Sequence, residues 1–120
     1  MSEAREAALV VLYEAAMADL DEPDTSGIGA KAKRLVTGVT ENLEEIDATL
    51  EAASHNWKLA RMPAVDRSIL RVAVYELTHT ETPVGVVISE AIELAKRYST
   101  ERSGAFVNGV LATLAESVAR

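Results

Sequence analysis

The sequence predicts an all-α domain, and three observations carry that prediction. Apolar residues recur at spacings of three and four along most of the 120 residues. No stretch alternates with the period of two that a half-buried strand requires. Pro63 and Pro83 each stand just before an apolar-periodic run, at the edge of a first helical turn, where a missing N–H costs nothing. A chain of this length with 48% hydrophobic residues can bury one real core.

The first helix is expected over residues 2–20, with Ser2 as its cap. Its apolar residues Ala4, Ala8, Leu9, Val11, Leu12, Ala16 and Leu20 cover most of the circumference, which places this helix centrally. One stripe remains, Glu3, Glu6, Val10, Glu14, Met17 and Asp21, in which two hydrophobes interrupt an acidic face. Val10 and Met17 read either as scattered surface apolars or as a small partner or dimer surface. Residues 21–27 (DEPDTSG) form a loop.

A second helix sets Ile28, Ala32, Leu35, Val36, Val39, Leu43, Ile46 and Leu50 in one continuous stripe. Residues 53–63 (ASHNWKLARMP) break the pattern, and a third helix runs to about Thr78. Pro83 opens a fourth, lined by Val84, Val87, Ile88, Ala91, Ile92, Ala95 and Tyr98. Residues 99–104 are expected to form a turn. The fifth helix then presents Phe106, Val107, Val110, Leu111, Leu114, Ala115 and Val118 to the core.

Charge and composition exclude several functional classes. Residues 1–60 hold 5 Lys/Arg against 12 Asp/Glu and residues 61–120 hold 7 against 7, so the net charge of −7 sits in the first half. A field of that sign repels nucleic acid, and any RNA contact must come from a local basic patch. No apolar run approaches the ~18 residues of a bilayer span and no basic n-region precedes an uncharged stretch, so a cytoplasmic protein without a membrane anchor is expected. The absence of cysteine removes disulfides and thiolate chemistry. His55 and His79 have no partner at metal-ligand spacing, no motif puts Ser, His and Asp in a working relation, and Glu41, Glu44, Glu45 and Asp47 read as a solvated face. Neither metal, cofactor nor catalysis is expected.

Residues 65–111 carry polar groups that a plain core does not need: Arg71 and Glu76, Glu90, and the pair Asn108-Gly109. Arg71 precedes Glu76 by five, which is no pairing distance on one helix, so each is expected to bridge to a different element. Gly109 is expected to permit close helix approach, and the Asn108 amide to bond a neighbouring loop. Basic and aromatic groups converge once, where Lys96, Arg97 and Arg102 precede Phe106. An aromatic beside such a turn can stack on an unpaired base; the alternative is that Phe106 is the first core residue of its helix.

These residues occur in the order of a known family. The segment AREAALVVLYE, then Trp57 and Arg61 before PAVDRSILRVAVYEL, then Pro83, VVISEAIELAKRYS and FVNGVL resemble the NusB family of bacterial transcription antitermination factors. The match covers most of the chain. The resemblance implies two three-helix bundles packed across each other, here about 1–58 and about 59–120, in a single domain without catalytic activity. It also implies that the protein binds NusE, a small-subunit ribosomal protein. The pair would grip boxA single-stranded RNA and join RNA polymerase and other Nus factors in support of ribosomal RNA synthesis.

Carried over by position, the resemblance implies RNA contacts at Arg5, Tyr13 and Phe106, and NusE contacts at Asp66 and Arg67; Arg102 stands in a turn where many members carry an acidic residue, and is expected as an RNA contact that restores some phosphate attraction. The chain departs from the family at its N-terminus, where MSEAREAAL keeps only Arg5 of an arginine-rich segment. Fewer phosphate contacts release fewer counterions and flatten the salt dependence of binding. Two other readings follow from the same residues. One is an isolated copy of the helical domain that precedes the catalytic part of some ribosomal RNA cytosine methyltransferases; the other is a protein-only or self-associating adaptor, a homodimer built on the Val10/Met17 stripe.

Overall fold

The computed structural model describes the backbone of residues 2–54 and 58–117, with side chains from 3 to 116 inside those ranges. The cap expected of Ser2, the histidine His55, Trp57 and the core position Val118 lie outside the described residues and side chains. Six α-helices and one 3₁₀ turn make up the described fold, and it contains no strand: α1 (Ser2–Met17), α2 (Ala30–Glu41), α3 (Leu43–Ala53), the 3₁₀ turn Leu59–Arg61, α4 (Ala64–His79), α5 (Val84–Tyr98) and α6 (Glu101–Ser117).

Helix α1 stops earlier than its apolar pattern does. Asp19 takes a left-handed φ of 54°, and the N–H groups of Asp19 and Leu20 turn back to the carbonyls of Ala16 and Ala15 at 3.3 and 2.9 Å. This double closure satisfies the last carbonyls of the helix and is usually built on glycine. Leu20, expected in the core, is thrown outward by it and is 54% exposed.

The expected second helix is two helices. At Asn42 the side-chain amide and the backbone N–H both donate to the Gly38 carbonyl, at 2.8 and 3.2 Å. The Asn42 carbonyl meanwhile accepts the N–H of Ile46 at 2.9 Å. One residue thus ends α2 and starts α3, through the local side-chain bonding that makes Asn a poor interior residue of a helix. The three- and four-residue spacing continues across the bend, which is why the stripe conceals it, but Leu43 has left the core.

Helix α4, not α1, is the axis of the molecule. It packs against all five other helices, while α5 and α6 pack on each other and α1 lies against α2 and α4. Its Ile69, Leu70, Val72, Ala73, Val74 and Leu77 are buried in one core that takes in Leu9, Val39, Ile46, Leu50, Val87, Val107 and Leu111 from every other helix. A satellite cluster of Ala8, Val11, Leu35 and Val36 closes α1 on α2, and Tyr75 packs against both clusters. At Gly38 an added Cβ would stand 2.2 Å from the Tyr75 ring. This is the close approach that the sequence reading assigned to Gly109, which faces open space beside an exposed Asn108.

The polar groups of α4 tie it to its neighbours as the spacing requires. Arg71 makes two bonds to the Asp47 carboxylate of α3, at 2.8 and 2.9 Å, and Glu76 reaches α1. Arg71 and Glu76 therefore do hold different elements.

Candidate nucleic-acid interface

Arg5, expected at an RNA phosphate, lies in the structure on a pair of glutamates. Its Nε and Nη2 donate to both oxygens of Glu76, at 2.7 and 2.8 Å, and its Nη1 lies 3.5 Å from Glu90. The residue is 3% exposed and Glu76 is 4% exposed. The hydrogen bond to Glu76 raises the guanidinium pKa above its ordinary value against the opposing effect of burial. A bidentate fork on a desolvated carboxylate is among the stronger polar contacts in a protein. Arg5 is thus occupied in joining α1 to α4 and α5.

The basic and aromatic residues do converge at the turn between α5 and α6. Thr100 caps α6: its Oγ1 accepts the Ser103 N–H at 3.1 Å, and its carbonyl accepts that of Gly104 at 3.1 Å. The helix consequently starts at Glu101, inside the expected turn, and Arg102 and Phe106 stand four residues apart on one face of its first two turns. Pro63, Asp66, Ser99, Thr100, Arg102, Ser103 and Phe106 enclose a cleft of about 320 Å³. Arg102 is exposed, and half-buried Phe106 rests on the main core.

Asp66 was expected to contact a protein partner, but it is 2% exposed and belongs to this cleft. Its Oδ2 accepts from the Ser103 hydroxyl at 3.0 Å, and its Oδ1 is buried with no hydrogen-bond partner among the described residues. Burial pushes the carboxyl above its ordinary pKa, opposed by the hydroxyl of Ser103 and, beyond it, that of Ser99. Arg67 is half-buried and donates to the Leu59 carbonyl at 3.0 Å, pinning the 3₁₀ turn to α4.

Tyr13 does not line the cleft. It is half-buried on the α1 stripe that also carries Glu6, Val10 and Met17, the last two 39% and 63% exposed. Glu6 links that stripe to the end of α5, accepting from the Arg97 guanidinium at 2.9 Å and from the Tyr98 hydroxyl. Those bonds, Tyr98 foremost, hold the Glu6 carboxyl below its usual range and push the Tyr98 hydroxyl up. Sequence reasoning missed Glu6 in this role, along with Pro63, Ser99 and Ser103. The one available signal was Thr100 three residues before Ser103, a helix-cap spacing. Among the described residues no group of His, Asp and Glu is arranged to hold a metal. No described helix is long and apolar enough to cross a membrane.

The NusB family model matches residues 2–116. A transcription antitermination protein NusB of Lysinibacillus sphaericus is 46% identical over 95% of each chain, and one from an Anaeromyxobacter species is 48% identical over 90% of this chain and 84% of its own. Among solved structures, T. maritima NusB superposes with a TM-score of 0.87 at 37% identity, covering 99% of this chain and 92% of that one. A crystal structure of antitermination factors NusB and NusE in complex with dsRNA gives a TM-score of 0.81 at 28% identity, over 97% and 96% of the two chains.

Proposed function

Because this chain belongs to the NusB family, we propose that it is a transcription antitermination factor, an adaptor without catalytic activity. With NusE it would bind boxA RNA and join the RNA polymerase complex in the cytoplasm, supporting ribosomal RNA synthesis. The observation that carries the reading is the cleft at the α5–α6 turn, where an exposed guanidinium and an aromatic ring share one helix face above polar groups. Single-stranded RNA is held by that combination, a cation for the phosphate and a ring for an unstacked base. Arg102 and Phe106 are the proposed RNA contacts, with Tyr13 as an outlying one on α1. Arg67 and the 3₁₀ turn it secures are proposed to meet NusE. The division into bundles of about 1–58 and 59–120 is proposed to rest on α4, which packs against both halves.

The test is a titration with boxA RNA, with and without NusE, at two salt concentrations. A salt-sensitive preference of the pair for boxA over a scrambled strand is expected; its absence removes the reading. The exposure of Val10 and Met17 favours a second reading, self-association through α1. Charging both residues should then abolish a dimer detectable by sedimentation.

A further inference from the structure

Asp66 lines the 320 Å³ cleft, and its carboxylate oxygen Oδ1 is buried with no hydrogen-bond partner among the described residues. A buried acceptor without a donor is costly, and such groups are rare enough in native proteins to require a reason. The other carboxylate oxygen is fixed by Ser103, whose hydroxyl is in turn within 2.8 Å of that of Ser99. The network therefore orients Asp66 and leaves one side of it waiting for a donor.

The surroundings restrict what that donor belongs to. A lysine or arginine side chain of a protein partner would satisfy the carboxylate, but it would enter past Arg102, and like charges at close quarters oppose it. The occupant that suits all the walls carries a flat donor edge for Asp66, a π-face for Phe106 and an anion for Arg102. Those are the parts of a nucleotide. The cleft is at the small end of ligand sites, sufficient for one base with its sugar.

Among the bases, the donor edge singles out one. Uracil offers its N3–H between two carbonyls, and adenine and cytosine offer an amino group beside a ring nitrogen that accepts; each sets an acceptor against the carboxylate. Guanine offers N1–H and the 2-amino group side by side, two donors for one carboxylate. We propose that the cleft between the start of α4 and the α5–α6 turn is a guanine subsite, in which Asp66 accepts from the Watson–Crick edge, Phe106 stacks on the ring and Arg102 holds the phosphate. This rests on the RNA-binding reading above and adds base selectivity to it.

The experiment uses the whole chain at low salt and three labelled strands: heptauridine, the same strand with one central guanosine, and the same strand with inosine, which lacks the 2-amino group, in that place. The guanosine strand should bind about tenfold more tightly than heptauridine, the scale of a bidentate base contact, with the inosine strand between them. Asp66→Asn should bind the guanosine strand and heptauridine alike. Equal binding of all three strands by the unaltered chain overturns the subsite but leaves RNA binding standing, as does a guanosine preference that survives Asp66→Asn. Failure to bind any strand, alone or with NusE, overturns the RNA-binding reading as well. The inosine comparison needs no change to the protein, so it decides the matter even if Asp66→Asn does not fold.

Discussion

Arg5 and Arg102 are the same side chain put to opposite uses, and both were expected at RNA phosphates. Arg5 lies on α1 with its fork closed on Glu76 and its remaining nitrogen near Glu90, almost wholly removed from water. Arg102 stands exposed at the mouth of a cleft beside Phe106. A charge sequestered with its counter-charge supports the fold and is withdrawn from ligands, while one left in water contributes little to stability and remains available to an anion. The difference lies in what the fold sets opposite each residue. For Arg5 that is a glutamate 71 positions away.

The largest effect should come from opening the buried pair. Arg5→Ala takes the guanidinium away from the buried Glu76 carboxylate, and the expected loss is about 3–5 kcal/mol in urea denaturation, as when one partner of a buried ion pair is removed. Replacing both, Arg5→Met with Glu76→Leu, should recover most of that, since the apolar pair needs no counter-charge. If Arg5→Ala instead leaves stability unchanged and lowers RNA affinity, Arg5 belongs on the surface and the contrast with Arg102 fails.

The next effect tests the packing that holds α4 beneath α1 and α2. Gly38→Ala places a methyl group inside the van der Waals radius of the Tyr75 ring. That ring stacks on His79 at 5.4 Å and touches both hydrophobic clusters, so its freedom to retreat is limited. Overpacking of this kind should cost about 1–3 kcal/mol, read as a lowered Tm. The equivalent change at Gly109, which faces open space, should not lower it.

How far the sequence could be read follows the range of the interactions. The all-helical class, the helix starts at Pro63 and Pro83 and the different partners of Arg71 and Glu76 are local or periodic consequences, and they stand as expected. The bend at Asn42 was hidden because an apolar stripe keeps its period through a change of direction. The end of α1 was hidden because Asp19, not glycine, takes the left-handed conformation. At the site, Arg102 and Phe106 were readable as neighbours on one helix face. The burial of Arg5 and the entry of Asp66 into the cleft were not, because they depend on α1 meeting α4 and on α4 meeting α6 across long stretches of chain.

Asp66 gives the two regions a third term, a buried charge without a full complement of partners. Its carboxyl is raised above the ordinary 3.8 by burial, so the native state holds its proton to higher pH than the unfolded chain does. Between the ordinary value and the raised one the native state binds more protons, and stability therefore falls as pH rises through that window. Asp66→Asn removes the charge and should be more stable than the unaltered chain at neutral pH by about 1 kcal/mol. The advantage should vanish below the ordinary carboxylate range. An advantage that does not depend on pH would locate the effect in packing, leaving ionisation aside.

The smallest effect on stability, and the one that completes the contrast, belongs to Arg102→Ala. An exposed guanidinium that makes no ion pair among the described salt bridges should change the unfolding free energy by less than about 0.5 kcal/mol. Its effect should appear in binding. Each phosphate contact on a single strand contributes about 0.7 to the slope of log K against log salt, so the variant's slope with NusE and boxA RNA should be shallower by about that amount. The loss should be similar on a scrambled strand, since a phosphate contact carries no sequence information. An unchanged slope would mean that Arg102 faces solvent without facing RNA, and exposure alone would then be no guide to which arginine the ligand uses.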